Sequence, residues 1–206
     1  MHWIAFVAAA QLSPPPPIDL RALFSADDMP GDYMPAESDR TVGIRVTVRP
    51  DGRVQDCATE YTSGIDRLDV FTCKLVKRRA KYAPAPLQAG MPSFAVYRTS
   101  IRWVVTGFAN PASAPNLADL TLTVNQLPDG LKAPTGVAVK FDVDESGHAS
   151  SCSAEEKPGQ TRPFNPDLVS LACDQFLRAY KPVPAKDENG RPVPSVQDAM
   201  VVFVIK

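Results

Sequence analysis

Apolar and polar residues alternate from Ile44 to Arg49, with Ile44, Val46 and Val48 set against Arg45, Thr47 and Arg49. This period of two is the mark of a strand buried on one face. Pro50-Asp51-Gly52 then closes a tight turn, since glycine reaches positive φ without strain. Val54 to Tyr61 reads as the returning strand, and Thr62-Ser63-Gly64 breaks it. Beyond the break the period becomes helical: Leu68, Phe71, Leu75 and Val76 line one face, and Lys74, Lys77 and Arg78 cover another. Pro84 stands beyond the helix as a stop. A last strand points Ile101, Trp103 and Val105 inward and Arg102 outward, which predicts the order ββαβ.

The same succession returns later. Val137 to Val143 alternates as Ile44 to Val48 does, and Gly147 precedes Cys152 by five residues, as Gly52 precedes Cys57. Cys152 follows Cys57 by 95 residues, and Cys173 follows Cys73 by 100. The offset of 100 then holds for Leu68 and Leu168, Pro84-Ala85 and Pro184-Ala185, Gly90 and Gly190, and Pro92 and Pro192. Ile101, Trp103 and Val105 answer to Val201, Phe203 and Ile205. The five extra residues fall in Glu156-Lys157-Pro158-Gly159-Gln160, a polar stretch that reads as a lengthened loop. Leu168, Leu171, Ala172 and Phe176 repeat the helix, with Pro166 near its start, where a missing N–H costs nothing. A repeat organises a chain before any finer feature does. The expected fold class is α+β: a tandem duplication of a ββαβ unit, each a three-stranded antiparallel sheet covered by one helix. The expected divisions are 1–29 (an apolar start and a proline-rich spacer), 30–108 (first domain), 109–134 (linker or pre-strand segment) and 135–206 (second domain).

Units of roughly 65–75 residues hold only a marginal core, and this gives the cysteines their meaning. Cys57 falls on a strand and Cys73 on a helix, and Cys152 and Cys173 hold the same two places. The even count and equivalent placement favour the bridges 57–73 and 152–173 over the two other connectivities. A bridge closing such a loop contributes about 3 kcal/mol and points to an oxidising compartment. Zinc would want close C-x2-C pairs, which are absent, and the only histidines are His2 and His148. A redox dithiol would want C-x-x-C at a helix start.

The formal net charge of -1 supplies no field to gather nucleic acid or an anionic membrane. Residues 1–11 are apolar and end in small residues, as an export signal or a truncated one does, though without a basic n-region. The stretch is shorter than the roughly 20 apolar residues a bilayer crossing needs. Pro14 to Pro17 form a stiff polyproline II spacer. No phosphate loop, G-x-S-x-G, H-E-x-x-H or H-x-E with C-x-x-C is present. The chain is therefore expected to be no enzyme and to need no metal, cofactor or small-molecule substrate. Asp27-Asp28 and Glu155-Glu156 read as solvated loop charge, Lys77-Arg78-Arg79 as a solvated helix face, and Trp103 and Phe203 as core.

The ensemble resembles the C-terminal domain of TonB-like energy transducers. The resemblance rests on residues 43–48, Asp51-Gly52-Arg53-Val54, Thr62-Ser63-Gly64 with Leu68-Asp69, Tyr82-Ala83-Pro84-Ala85, Gly90-Met91-Pro92 and residues 101–105. The second copy supplies residues 136–143, Ser146-Gly147, Leu168, Lys181-Pro182-Val183-Pro184-Ala185 and Gly190-Arg191-Pro192-Val193. The resemblance implies a periplasmic protein, exported through or anchored to the inner membrane, that binds a peptide of a TonB-dependent outer-membrane receptor. In such a family the last strand lies at a sheet edge and the visitor joins it by β-augmentation. That role carries over to Ser100, Ile101, Arg102, Trp103, Val104 and Val105, and to Val201, Val202, Phe203, Val204 and Ile205. Tyr33 and Pro35, split by Met34, stand where family members place a tyrosine-proline pair that touches the partner. Two readings follow: a peptide-binding module for transport through outer-membrane receptors, or an envelope scaffold that keeps only the fold. Either edge could instead be covered by the other copy or by the linker, because proteins protect open edges.

Overall fold

The computed structural model describes residues 23, 24, 28, 40–83, 85–87, 90–103, 118–128, 130–155 and 165–206. In the N-terminal half, β1 (Arg40–Val48) and β2 (Val54–Tyr61) form a hairpin, followed by α1 (Asp66–Arg79), the short β3 (Ala85–Pro86) and the long β4 (Pro92–Trp103). Next comes β5 (Leu120–Val124). The C-terminal half runs β6 (Thr135–Val143), β7 (Ala149–Ala154), α2 (Pro166–Ala179), β8 (Ala185–Lys186), β9 (Pro192–Val193) and β10 (Ser195–Ile205).

The architecture departs from two separate three-stranded sheets. A single eight-stranded sheet runs β2-β1-β4-β10-β6-β7, with β3 attached to β4 and β5 to β10. The join is a short parallel pairing in which Phe94, Ala95 and Val96 of β4 face Ser195, Val196 and Gln197 of β10. Sharing these strands satisfies backbone groups that two isolated sheets would each leave at an edge.

The join also decides where the helices sit. Residues paired across strands share a face, because side chains alternate along a strand. Val42, Val46 and Val48 pair with Ile101, Tyr97 and Ala95, and with Ile44 they form a core with Leu68, Leu75 and Val76 of α1. Ala95 pairs with Val196, so this face continues onto the even-numbered residues of β10, and Val196 packs against that core. The core under α2 instead takes Val137, Val139 and Phe141 with Ala199, Val201 and Phe203, the odd-numbered residues of β10. The two helices therefore cover opposite faces of one sheet. Each fully buried Val, Leu, Ile or Phe contributes roughly 1.5–3 kcal/mol, and Val42, Val46, Leu68, Val139, Phe176 and Phe203 are all fully buried.

The β1–β2 turn shows why glycine is needed at position 52. Its φ is +79°, and a Cβ there would lie 1.9 Å from the Tyr82 carbonyl oxygen. That close approach lets the Tyr82 N–H donate to the Gly52 carbonyl at 2.8 Å, tying the hairpin to the chain leaving α1.

Candidate peptide-binding edge

Both expected bridges are formed: Cys57–Cys73 and Cys152–Cys173, each with Cα atoms 5.5 Å apart. Each ties the second strand of its half to the helix above it, and no cysteine is free. Among the described residues no cluster of His, Cys, Asp or Glu is placed to hold a metal ion, and no helix is long and apolar enough to cross a membrane.

The residues expected to offer an edge fall into three groups. Val201, Val202 and Phe203 are paired on both sides, with Val137, Gly136 and Thr135 of β6 and with Leu120, Thr121 and Leu122 of β5. Val204 and Ile205 pair with Thr123 and Val124 of β5. β10 is thus an interior strand: of the two outcomes open for it, a free edge or one covered by the other half and the linker, the second holds. The cause lies in the stretch expected to be a linker or pre-strand segment: Leu120, Leu122 and Val124 turn their side chains to the α2 core, while Thr121 and Thr123 face solvent. This short amphipathic strand fills the edge that β10 would otherwise expose. Ser100, Ile101, Arg102 and Trp103 form the second group. They pair with β1 on one side, and past Val96 no strand pairs the other side of β4 among the described residues. Ile101 and Trp103 are core, as expected, and the indole N–H of Trp103 donates to the Thr72 hydroxyl at 3.0 Å. The third group, Val104, Val105, Tyr33 and Pro35, lies outside the described residues.

A charged fork links β4 to β10 beyond their short pairing. The backbone N–H of Arg98 donates to an Asp198 carboxylate oxygen at 3.0 Å, and the Arg98 guanidinium donates to the Asp198 carbonyl at 2.9 Å. The same guanidinium reaches Glu60 at 3.0 Å and Asp119 at 3.4 Å. Asp119 in turn accepts from the Met200 N–H at 2.8 Å and donates its own N–H to the Met200 carbonyl at 2.9 Å, starting β5 along β10. Burial works against the Arg98 charge, but Asp119, Glu60, Tyr180 and Asp198 together outweigh it and hold its pKa above the ordinary value. Across the sheet, Tyr82 and Tyr97 stack with ring centroids 5.3 Å apart. Burial, with Asp198 adding to it, pushes the Tyr82 hydroxyl up to about 12 and raises Tyr97 in the same direction.

The start of α1 gives physical content to Thr62-Ser63-Gly64 and Leu68-Asp69. The buried Asp69 carboxylate accepts from the Ser63 N–H at 3.0 Å, the Ser63 hydroxyl at 2.7 Å and the Thr62 hydroxyl at 2.6 Å. The break after β2 is thereby pinned to the helix. Asp28, expected as solvated loop charge, instead receives both nitrogens of the Arg79 guanidinium fork, which also donates to the Leu23 carbonyl. Lys77, on the same basic run, lies 3.6 Å from Asp56. Arg98, Asp119 and Asp198 were not singled out by pattern, since single charges on alternating strands carry no signal of what they meet across the sheet.

Searches of curated proteins and of solved structures returned no match. Residues 36–105, the segment that carries β1, β2, α1 and β4, match the model of the family described as Gram-negative bacterial TonB protein C-terminal, which supports a TonB C-terminal domain in this half of the chain.

Proposed function

We propose that the chain is a periplasmic peptide-binding module of the TonB C-terminal type, which takes an extended segment of an outer-membrane receptor as an added strand on β4 at residues 100–103. One observation carries this reading: the family match falls on the β1–β2–α1–β4 unit, whose last strand has no strand partner on its second side past Val96 among the described residues. Main-chain hydrogen bonds would supply the affinity, as in other β-augmentations. The reading is one of binding and transport, not catalysis.

We also take the chain to be a tandem duplication. The order of elements in the two halves and the equivalent placement of the two bridges support this. On this view the halves have diverged in role. β10 has lost its edge to β5 and β6, so the C-terminal half acts as a scaffold beside the binding half.

The test is a titration of the whole chain with a synthetic peptide from a receptor's periplasmic N-terminal segment, followed by amide NMR. The N–H of Arg98 faces the β10 side, so by alternation the N–H of Ser100 faces the same side. Its signal should shift on binding, and Ser100→Pro, which removes this donor, should weaken binding about tenfold or more. Absence of binding at millimolar peptide, or equal binding by the variant with the same shifts, would refute the proposal.

A further inference from the structure

A different edge carries a second inference, independent of the β4 reading. β2 is the outermost strand at the N-terminal end of the sheet, with β1 on one side and no strand on the other among the described residues. Its middle is regular: Asp56, Cys57, Ala58 and Thr59 face Thr47, Val46, Arg45 and Ile44 without a break. Beside it α1 presents a second stripe, distinct from the one facing the core. Val70, Cys73, Lys74, Lys77 and Arg78 follow one another at helical spacing on that stripe. Together with Cys57 and Thr59 they line an open groove of ≈ 630 Å³. Its apolar lining includes the disulfide and Val70, which is 69% exposed. Its rim carries three cations and no carboxylate. Asp56 lies nearby, but its contact with Lys77 is a 3.6 Å pair between two largely exposed side chains, which is weak and readily shared.

We propose that this groove binds an extended acidic peptide segment, which adds to β2 as a strand and sets its carboxylates against Lys74, Lys77 and Arg78. A strand added to β2 would run about 4.8 Å beyond it, beneath the α1 stripe. Alternate side chains would then point up to Val70 and the disulfide, and carboxylates flanking them would meet the basic rim. The C-terminal half lacks the same offer. At the corresponding places α2 carries Asp174, Leu177 and Arg178, with Asp174 and Arg178 paired to each other at 2.7 Å. β7 is shorter, its pairing with β6 breaks between Lys140 and Asp142, and Ser151 stands at φ 55°. The β1–β2 pairing also shifts register, between Gly43 and Ile44 and between Thr47 and Val48, but these shifts flank the unbroken run at 56–59 that a visiting strand would use, whereas the shorter β7 has no such run and resists strand addition.

The experiment uses the whole oxidised chain and a blocked octapeptide alternating valine and glutamate, with the valine–lysine peptide as control. Calorimetry at low ionic strength should show the glutamate peptide binding at least about tenfold tighter than the lysine peptide, and salt should weaken it. Amide shifts should gather on residues 56–59 and 70–78. Lys74→Glu/Lys77→Glu/Arg78→Glu should invert the preference without lowering the unfolding midpoint by more than a few degrees. Ser100→Pro should leave the preference unchanged, which separates this groove from the β4 edge. Four outcomes would each overturn the proposal: no binding of the glutamate peptide, indifference to peptide charge, shifts mapping to β4, β5 or β7, or sedimentation showing that β2 is occupied by a second copy of the chain.

Discussion

The two halves of the chain share the order strand–strand–helix–strand among their long elements and solve three local problems differently. The first is an aromatic on the last strand under the helix. In the N-terminal half it is Trp103, whose indole N–H needs a buried acceptor and finds the Thr72 hydroxyl. At the corresponding places the C-terminal half has Phe203 and Ala172, both fully buried and neither carrying a polar atom to satisfy. The second problem is the start of the helix. α2 opens with Asn165 as its cap, accepting from the N–H groups of Asp167 and Leu168, with Pro166 following. α1 has Ile65 in that place with no side-chain cap, and Asp69 and Ser63 anchor its first turn from within. The third is the hairpin glycine. A Cβ on Gly52 would strike the Tyr82 carbonyl, whereas one on Gly147 would lie 3.2 Å from the Pro182 carbonyl. Polar satisfaction is thus a pairwise property: the indole comes with its acceptor in one half, and both polar atoms are absent together in the other.

The largest effect should come from the hairpin glycines. Both have positive φ, so alanine at either incurs the left-handed penalty of about 1–2 kcal/mol. Gly52→Ala must also push the Tyr82 backbone aside, and it is expected to cost about 4 kcal/mol or more, against about 1–2 kcal/mol for Gly147→Ala. Urea denaturation measures both; equal costs would show that the Tyr82 contact relaxes freely.

Removing a bridge comes next. Cys57→Ser/Cys73→Ser and Cys152→Ser/Cys173→Ser should each cost about 3 kcal/mol. The form of the transition is more telling than its size. The shared sheet and the Arg98 fork join the halves, so either variant should lower one common unfolding transition, whether followed by far-UV circular dichroism or by tryptophan fluorescence in a Trp3→Phe background, where Trp103 alone emits. If only one of two transitions moved, the halves would be independent units.

The Thr72–Trp103 pair allows the N-terminal solution to be converted into the C-terminal one. Thr72→Ala leaves the indole N–H without its acceptor in a buried site, at a cost of about 1–3 kcal/mol. Adding Trp103→Phe removes the stranded donor, so the double variant should lose less than the two single variants together. Strict additivity would mean that the hydrogen bond carries no coupling.

Local pattern carried much of this fold, and long-range pairing did not. The alternation at residues 44–48, the return from Val54 to Tyr61, the two helices and the two bridges are all short-range or spacing signals, and the structure has these elements where the pattern places them. The join of β4 to β10 depends on which edges meet once both halves are folded, and no window of sequence records that. β5 is an intermediate case. Leu120-Thr121-Leu122-Thr123-Val124 has the period of a half-buried strand, yet five residues between proline-rich stretches read equally well as linker, and only its docking on β10 decides. The same holds for the candidate edge: the inward placement of Ile101 and Trp103 was legible, and cover of an edge by the other half or by the linker was one of two open outcomes, but which of the two last strands would be covered was not. Asp28 shows the limit for charge, because a carboxylate meets its arginine only through tertiary contact.

The smallest effect concerns the helix starts. Asn165→Ala removes one acceptor from two exposed or half-exposed N–H groups, which water can partly replace, so its cost should be about 1 kcal/mol. Ser63→Ala should cost more, about 1–2 kcal/mol. Ser63 is buried, its hydroxyl accepts from the Ile65 N–H at 3.1 Å, and it donates to Asp69 at 2.7 Å. Losing it strands a donor and weakens the solvation of a buried carboxylate at once. Chemical denaturation of the two variants ranks them, and hydrogen exchange over residues 66–70 and 166–170 locates the loss. If Asn165→Ala proved the costlier, the first turn of α1 would draw its stability from the Leu68 core contact and not from the Asp69 cluster.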